Sequence, residues 1–467
     1  MGVLRANETR FEAHVSVAIV GGGACGMVAA LTLRDAGLDC LVLERDSVPG
    51  GNTALSSGMI PACGTRLQQD RNIADDPAIM AADIQAKARA TADQAIVEEI
   101  CRQSGPTVDW LMERHGVELE LVEGFLYPGH SRLRMHAPPS RTGAALIGAL
   151  VERAEAAGVD LLTDARVHDL VADPDGRIRG LVAQRPDGAR EAIGCDALIL
   201  ACNGFGGNPE LVRRHIPAMA DALYFGHTGN TGDAVAWGEA LGADLKYLGA
   251  YQGHGSVATP HNSLITWAVI MEGGIQVNRA GRRFSDETRG YSEQARAVLE
   301  QPGGTAFMVY DTRLHRLAKD FEDYRAAERA GAVKSGPDQA ALAEALSLPA
   351  EALTETLQDI GAFADGRAAD PFGRKFAPDK VLAPPYFGIR VTGALFHTQG
   401  GLAIDPSARV LTRGGRPFPN LHAGGGAACG ISGPADWGYL SGNGLLTATV
   451  LGRLAGLSAA RQGANAA

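Results

Sequence analysis

The chain's seven cysteines (Cys25, Cys40, Cys63, Cys101, Cys195, Cys202 and Cys429) are scattered and form no CxxC pair. No zinc knuckle, c-type haem attachment or disulfide framework is therefore written into them. Each reads as a small buried hydrophobe in a reduced compartment. Long apolar runs are also missing: no segment reaches the length of a membrane span, and the opening MGVLRANETRFEAH has no signal-peptide core. A cytoplasmic chain without an integral membrane segment is expected. Like charges never gather in a block and the net charge is -10, so neither nucleic acid nor an anionic membrane is the expected partner. No internal repeat or low-complexity tract is present.

Glycine, by contrast, is abundant, with 60 in 467 residues. Without a repeat to account for them, these glycines point to tight turns and close backbone approaches to a ligand. The length suits two domains, or one domain carrying an insertion.

Val15 to Val20 form an apolar strand that runs directly into Gly21-Gly22-Gly23-Ala24-Cys25-Gly26. A helical pattern follows from Met27 to Ala36, and a second strand, Cys40 to Leu43, ends at Glu44 and Arg45. In such a βαβ unit the first glycine allows the tight turn. The second lets the backbone approach a pyrophosphate, and the third lets the helix pack on the sheet. The helix N-terminus offers free N–H groups to the phosphates. An acid about twenty residues further on is placed for ribose hydroxyls, and Glu44 fills that role. A second Gly/Ser-rich stretch follows at Gly50-Gly51-Asn52-Thr53 and Ser56-Ser57-Gly58.

Further along, Thr142 to Ala157 has helical spacing. Strand-like pieces surround Leu161, Val167 and Leu181, and Ala197 to Ala201 reads as a buried parallel strand leading to Asn203-Gly204. The character changes from about Leu245 to Phe376. A strand pair is expected at Ile275–Asn278 and Arg283–Phe284, then polar helices over 320–332, 338–346 and 349–363. Gly-rich α/β character returns after Pro385 and closes on a helix from Gly444.

Taken together, the Gly-rich opening, Thr231-Gly232-Asp233, Gly274 to Phe284, His397-Thr-Gln-Gly-Gly401 and Ser441-Gly442-Asn443-Gly444 resemble the fumarate reductase/succinate dehydrogenase flavoprotein superfamily. That superfamily includes the 3-ketosteroid dehydrogenases, and the resemblance spans nearly the whole chain. It implies an α/β fold: a discontinuous Rossmann-type FAD-binding domain (1–245 and 376–467) with an inserted α+β cap (246–375). It implies FAD held by Gly21, Gly23, Ala24, Gly26, Glu44, Arg45, Gly51, Asn52, Thr53, Ser57, Gly58, Val167, Asn203, Gly204, Asp233, Gly425, Asn443, Gly444 and Leu445. Some members attach FAD through a histidine where this chain has Asn52, so a non-covalent flavin is expected. A helix N-terminus at Asn443-Gly444 would stabilise the anionic reduced flavin.

The family works on dicarboxylates or on ketones. His254, Thr266 and His397 match its substrate-binding positions. Trp267 replaces the fumarate reductases' glutamate, and Tyr439 replaces their carboxylate-clamping arginine. Losing that arginine removes a bidentate partner for a carboxylate. An ungapped alignment puts Tyr291 on the proton-transfer position, whereas a two-residue gap puts Arg289 there. Tyr291, Tyr439 and Ser441 resemble the tyrosines and serine of the 3-ketosteroid dehydrogenases, with Arg289 expected to lower the phenol's pKa. Tyr127 is a further candidate at the substrate mouth, while Arg132, Arg134 and His136 read as a solvated loop.

The resulting expectation is flavin-dependent α,β-desaturation of a ketone, steroid-like or a smaller cyclic keto acid. A small-molecule substrate and an external electron acceptor (quinone, oxygen or a partner protein) go with it. Two alternatives stand beside it: an enoate reductase using Arg289 as acid, and a non-catalytic electron-transfer subunit. No metal is expected.

Overall fold

The computed structural model describes residues 2–466, with side chains through residue 462. Strand β1 (Gly2–Arg5) lies at the edge of the main sheet. Strand β2 (Ala13–Val20) sits inside it, buried on both faces at its C-terminal end. Helix α1 (Ala24–Asp35) follows at once, and then strand β3 (Cys40–Leu43). Helix α2 (Gly143–Ala156), capped by the Thr142 hydroxyl, leads into strands β4 (Asp160–Leu162), β5 (Arg166–Ala172), β6 (Ile178–Gln184) and β7 (Arg190–Leu200). The sheet order is β1-β5-β6-β7-β2-β3-β4, with β2, β3, β4 and the end of β7 parallel. Leu198–Leu200 of β7 also pair in parallel with a late strand, Pro417–Ala423. The strand inferred at Ala197–Ala201 is thus present and parallel, with its apolar run buried.

The second sheet is built on strand β8 (Tyr251–Ala258), short β9 (Ser263–Leu264), β10 (Ile275–Val277), β11 (Thr305–Asp311) and the long β12 (Tyr386–Thr398). Helix α3 (Tyr291–Leu299) packs against β8 and β12. Two sequence expectations shift here. β10 pairs with β11 and not with Arg283–Phe284. A turn does close after Asn278, where Asn278 N donates to Arg282 O at 2.9 Å. Beyond it, however, Arg283 turns inward to the buried carboxylates of Glu287 and Asp370, and these ion pairs displace strand pairing. Second, β12 runs through the middle of this sheet, so the cap's sheet extends beyond residue 375.

Leu223–Tyr224 adds in parallel to β12 at Ala394–Leu395, and Leu245–Lys246 pairs antiparallel with Gly401–Leu402. The final helix, α4 (Asn443–Ala466), returns to lie along α1. The two come so close that a Cβ on Gly452 would fall 2.4 Å from the Cys25 carbonyl oxygen. That packing fixes the start of α4 relative to the glycine turn that precedes α1. Among the described residues, no helix is long and apolar enough to cross a membrane.

Candidate active site

One long cavity runs from the glycine turn at the end of β2 to the seam between the sheets. Gly21, Glu44 and Val167 line one end of it, and His254, Thr266 and Tyr291 line the other.

The nucleotide end is shaped by backbone. Gly21 takes φ +106°, and a Cβ there would lie 2.6 Å from the Ala201 carbonyl oxygen. A Cβ on Gly26 would lie 1.9 Å from the Gly21 carbonyl oxygen. Glu44 is buried and, among the described residues, pairs with no cation; its two oxygens accept from Gly22 N (2.7 Å) and Asp46 N (3.0 Å). Lone pairs remain for ribose hydroxyls. The Thr53 hydroxyl accepts from Ala24 N at 3.0 Å, tying the second Gly-rich stretch to the first turn of α1. Gly23, Arg45, Gly51, Ser57, Val167, Asn203, Asp233, Gly425, Gly444 and Leu445 line the same cavity. These features fit FAD: a phosphate turn no side chain could enter, an unpaired buried acid and a helix N-terminus at the far end.

Four expected flavin residues stand behind the cavity wall. Gly26 acts through packing, as its position in the motif implies. Gly58 lies against the Thr142 carbonyl, and Gly204 lies so close to Thr398 that a Cβ would reach its hydroxyl at 2.0 Å. Asn443 is buried and donates to the Ser432 hydroxyl at 3.0 Å. Asn52 lines the cavity, but its carboxamide is engaged by protein: it accepts from His227 N (2.7 Å) and Asn230 Nδ2 (2.9 Å) and donates to Phe396 O (3.3 Å). It ties the 227–230 loop to the end of β12.

At the other end of the cavity stand Tyr127, His254, Thr266, Trp267, Tyr291, His397, Tyr439 and Ser441. Tyr291 opens α3 immediately after Gly290, whose φ of +152° swings the chain inward. Its ring stacks on His254 (centroids 4.5 Å apart) and tilts against Tyr439 at 6.0 Å. Burial pushes its phenol well above the ordinary tyrosine value and Tyr439 adds to this, while a hydrogen bond with the Ser441 side chain opposes it. Burial raises Tyr439 and Tyr127 as well.

Arg289, the other candidate for proton transfer, stands apart from this group. Its side chain is 72% exposed and lies 3.7 Å from Asp286, and the residue comes directly before Gly290, which carries Tyr291 inward. It does not line the cavity and cannot lower the Tyr291 phenol by direct charge. The backbone explains this: the Arg289 carbonyl is held by Lys87 Nζ at 2.8 Å, which leaves the side chain on the outer face. Lys87 also pairs with Glu293 in α3. One lysine thus ties the turn before Tyr291 to the helix 77–87 beneath it. Lys87→Met leaves a largely buried carboxylate uncompensated and is expected to cost about 3 kcal/mol, read as a lowered urea midpoint.

The two histidines are held in opposite roles. Ser256 Oγ donates to the Ile265 carbonyl (2.6 Å), so toward His254 Nδ1 (2.9 Å) it can only accept. His254 therefore carries its proton on Nδ1 and keeps a bare lone pair on Nε2. For His397, Gln399 Nε2 lies 3.0 Å from Nδ1, and the Gln399 oxygen is already occupied by the Ser432 hydroxyl at 2.7 Å. The Thr398 carbonyl, at 3.3 Å, is the poorer partner for that nitrogen. Gln399 thus donates to Nδ1 and His397 keeps its proton on Nε2, the nitrogen nearest Gly444. Burial lowers the two rings' pKa values to about 3 and about 4, so both stay neutral in ordinary buffers.

Trp267 packs edge-on against His254 at 5.5 Å, with its indole nitrogen buried and unpartnered. Thr266 accepts from Ala268 N at 3.3 Å. Among the described lining residues the only arginines are Arg45 and Arg166, both at the nucleotide end, and there is no lysine. Among the described residues no group of His, Cys, Asp and Glu side chains is placed to hold a metal ion.

Of the three residues expected in a solvated loop, Arg132 is partly exposed and the other two are buried. Arg134 is 1% exposed and pairs with Asp75 and Asp83, and His136 is fully buried. Sequence reasoning also missed His130, Lys87 and Phe396. Phe396 is the neighbour of a motif histidine and stacks on His254 at 5.3 Å. The other two carry no motif signal.

The FAD binding domain family model matches residues 16–445. A cytochrome-type fumarate reductase of Shewanella frigidimarina is 28% identical over 449 residues, covering 96% of this chain and 77% of the relative. The open conformation of a flavocytochrome c3 fumarate reductase superposes with a TM-score of 0.82 at 27% identity. That match covers 98% of this chain and 80% of the other. A 3-ketosteroid-Δ4-(5α)-dehydrogenase from Rhodococcus jostii RHA1, in complex with 4-androstene-3,17-dione, superposes at 0.77 with 26% identity, covering 98% and 99%.

Proposed function

This chain belongs to the FAD-binding domain family, and from that premise we propose that it desaturates a cyclic ketone between the α and β carbons. It is an FAD-dependent oxidoreductase of CH–CH groups. The choice of a ketone rests on one observation: a phenol, Tyr291, faces the cavity while the neighbouring guanidinium of Arg289 points to solvent.

FAD, which Gly21, Gly23, Glu44 and the N-terminus of α4 would hold, would supply the hydride acceptor for the β carbon. The chain's own groups handle the rest. Tyr291 takes the α proton, and in the reverse direction it returns it. The Tyr439 hydroxyl and His397 Nε2–H are donors for the carbonyl oxygen as negative charge grows on it. Ser441 supplies the hydrogen bond that eases ionisation of Tyr291. Desolvation by Trp267, Tyr127 and Phe396 strengthens each of these bonds. A dicarboxylate would find an acceptor lone pair at His254, tyrosine at 439 and no cation at that end. A ketone needs none of these charges. The non-covalent flavin and an external acceptor (quinone, oxygen or a partner protein) are part of the same proposal.

The test is anaerobic mixing of oxidised holoenzyme with 3-ketosteroids, oxocyclohexanecarboxylates and succinate, following the flavin absorbance. Bleaching by a ketone and none by succinate is the expected result. Bleaching by succinate alone would return the chain to the dicarboxylate branch. A flavin that no substrate bleaches would favour the electron-carrier reading.

A further inference from the structure

Behind the Ser441–Gly442 turn lies a buried polar cluster that the reaction above does not use. His130 is buried, and its Nε2 lies 2.9 Å from the Ser441 carbonyl oxygen. Its Nδ1 faces Arg134 Nη1 at 3.4 Å. An arginine can only donate and a carbonyl can only accept, so the proton sits on Nε2 and the ring is neutral. Burial lowers its pKa to about 4, and the Arg134 charge acts in the same direction while Asp83 and Asp75 oppose it. Arg134 cannot shift: Nε and Nη2 bond Asp75 at 2.7 and 2.9 Å, and Nη1 bonds Asp83. Asp83 also accepts from Ser131 N and Oγ, at 2.9 and 2.8 Å.

We infer that His130 is a positioning residue, which anchors the Ser441 peptide to the Arg134–Asp75–Asp83 cluster and so sets where the Ser441 hydroxyl meets Tyr291. The peptide lies in a turn closed by Asn443 N donating to the Leu440 carbonyl at 3.0 Å, and His130 is the side chain that holds it from behind. Gly442 follows with φ +84°, a conformation that leaves the turn no side chain to brace it, and a Cβ there would strike Pro61 at 2.6 Å. Tyr439, Gly442 and Gly444 lie on either side of the same peptide and line the cavity. If the carbonyl loses its partner, a buried acceptor is left unsatisfied and the turn relaxes. The side chain on that turn then moves away from the phenol. The groups facing Tyr291 are His254, Tyr127, Tyr439 and Ser441, and among them Ser441 is the one that favours ionisation.

This inference rests on Tyr291 being the proton-transfer group, and its test is chosen to fail separately from that reading. His130→Leu removes the donor. His130→Gln places an amide N–H where Nε2 stands. Holoenzymes carrying 3-fluorotyrosine, whose phenol is more acidic than tyrosine's, are titrated by fluorine NMR. The residue 291 signal is assigned by its loss in Tyr291→Phe. In His130→Leu with FAD content intact, the proton affinity of residue 291 is expected to rise roughly tenfold, and His130→Gln to restore it. Ser441→Ala should give the same rise and add nothing to the His130→Leu change. With any ketone that bleaches the flavin, kcat falls about tenfold in His130→Leu with KM within about twofold. An unchanged residue 291 titration in His130→Leu overturns the inference. Equal damage from the leucine and glutamine variants does so too, because the residue would then only fill space. The titration reads the anchor even if no ketone is ever turned over.

Discussion

Tyr291→Phe is expected to lower the rate of flavin reduction by ketone by roughly 10²–10⁴-fold, the usual worth of a positioned acid–base group. FAD content should be unchanged, because Tyr291 stands at the end of the cavity remote from the glycine turn. Arg289→Gln, on the adjoining exposed face, should change the rate by less than about twofold. The pH dependence follows from the same burial. A base must be ionised to act, and burial raises this phenol well above its ordinary value. Desaturation should therefore accelerate as pH rises from 7 to 10 without a plateau, whereas the reverse reduction, which needs the phenol protonated, stays flat over that window. His254 and His397, lowered to about 3 and about 4, contribute no step there. Stopped-flow rates across pH, for the wild type and Tyr291→Phe, check both points. A collapse in Arg289→Gln with Tyr291→Phe intact would end the ketone reading.

Gly26→Ala should abolish FAD retention altogether. The added Cβ would fall 1.9 Å from the Gly21 carbonyl oxygen, and that atom is backbone of the strand-to-helix turn, not the free end of a side chain. Either the turn opens or α1 lifts from the sheet, and α1 is packed all round, with α4 pressed against it. Overpacking of this kind commonly costs about 1–3 kcal/mol, and more where only backbone can yield. The expected product is a colourless protein with a lowered thermal midpoint, scored by the flavin-to-protein absorbance ratio after purification. Gly37→Ala is the control: no atom lies within 4 Å of its Cβ, although its positive φ carries a small strain. Full flavin content in Gly26→Ala would mean that this turn does not bear the cofactor.

The parts of the site readable from sequence were those carried by contiguous residues. The turn Gly21–Gly26 and Glu44 show themselves because strand, turn, helix and acid follow one another in order. Tyr291 was legible only up to a choice with Arg289, since two residues of slippage in an alignment exchange them. Gly290, with φ +152°, lies between the two, and only Tyr291 lines the cavity. Strands β8 and β12 were harder to see. β8 reads Tyr-Gln-Gly-His-Gly-Ser-Val-Ala, and irregularities near Gly253 and after His254 break the two-residue alternation that marks a strand. Arg134 looked like a surface residue because its charge is cancelled by Asp75, 59 positions earlier in the chain. His130 reaches a carbonyl 311 residues away. No local pattern announces such a contact.

The short ladder between Leu245–Lys246 and Gly401–Leu402 brings the two ends of the segment that carries β8 to β12 side by side. An inserted segment whose ends are adjacent can be lengthened, trimmed or exchanged while the Rossmann half keeps its threading. His254, Thr266, Trp267, Tyr291 and His397 lie within that segment, whereas Tyr127, Tyr439 and Ser441 stay with the nucleotide-binding half, so the wall around a substrate is shared between the two. A chimera joined at these four residues would exchange the first group and keep the second.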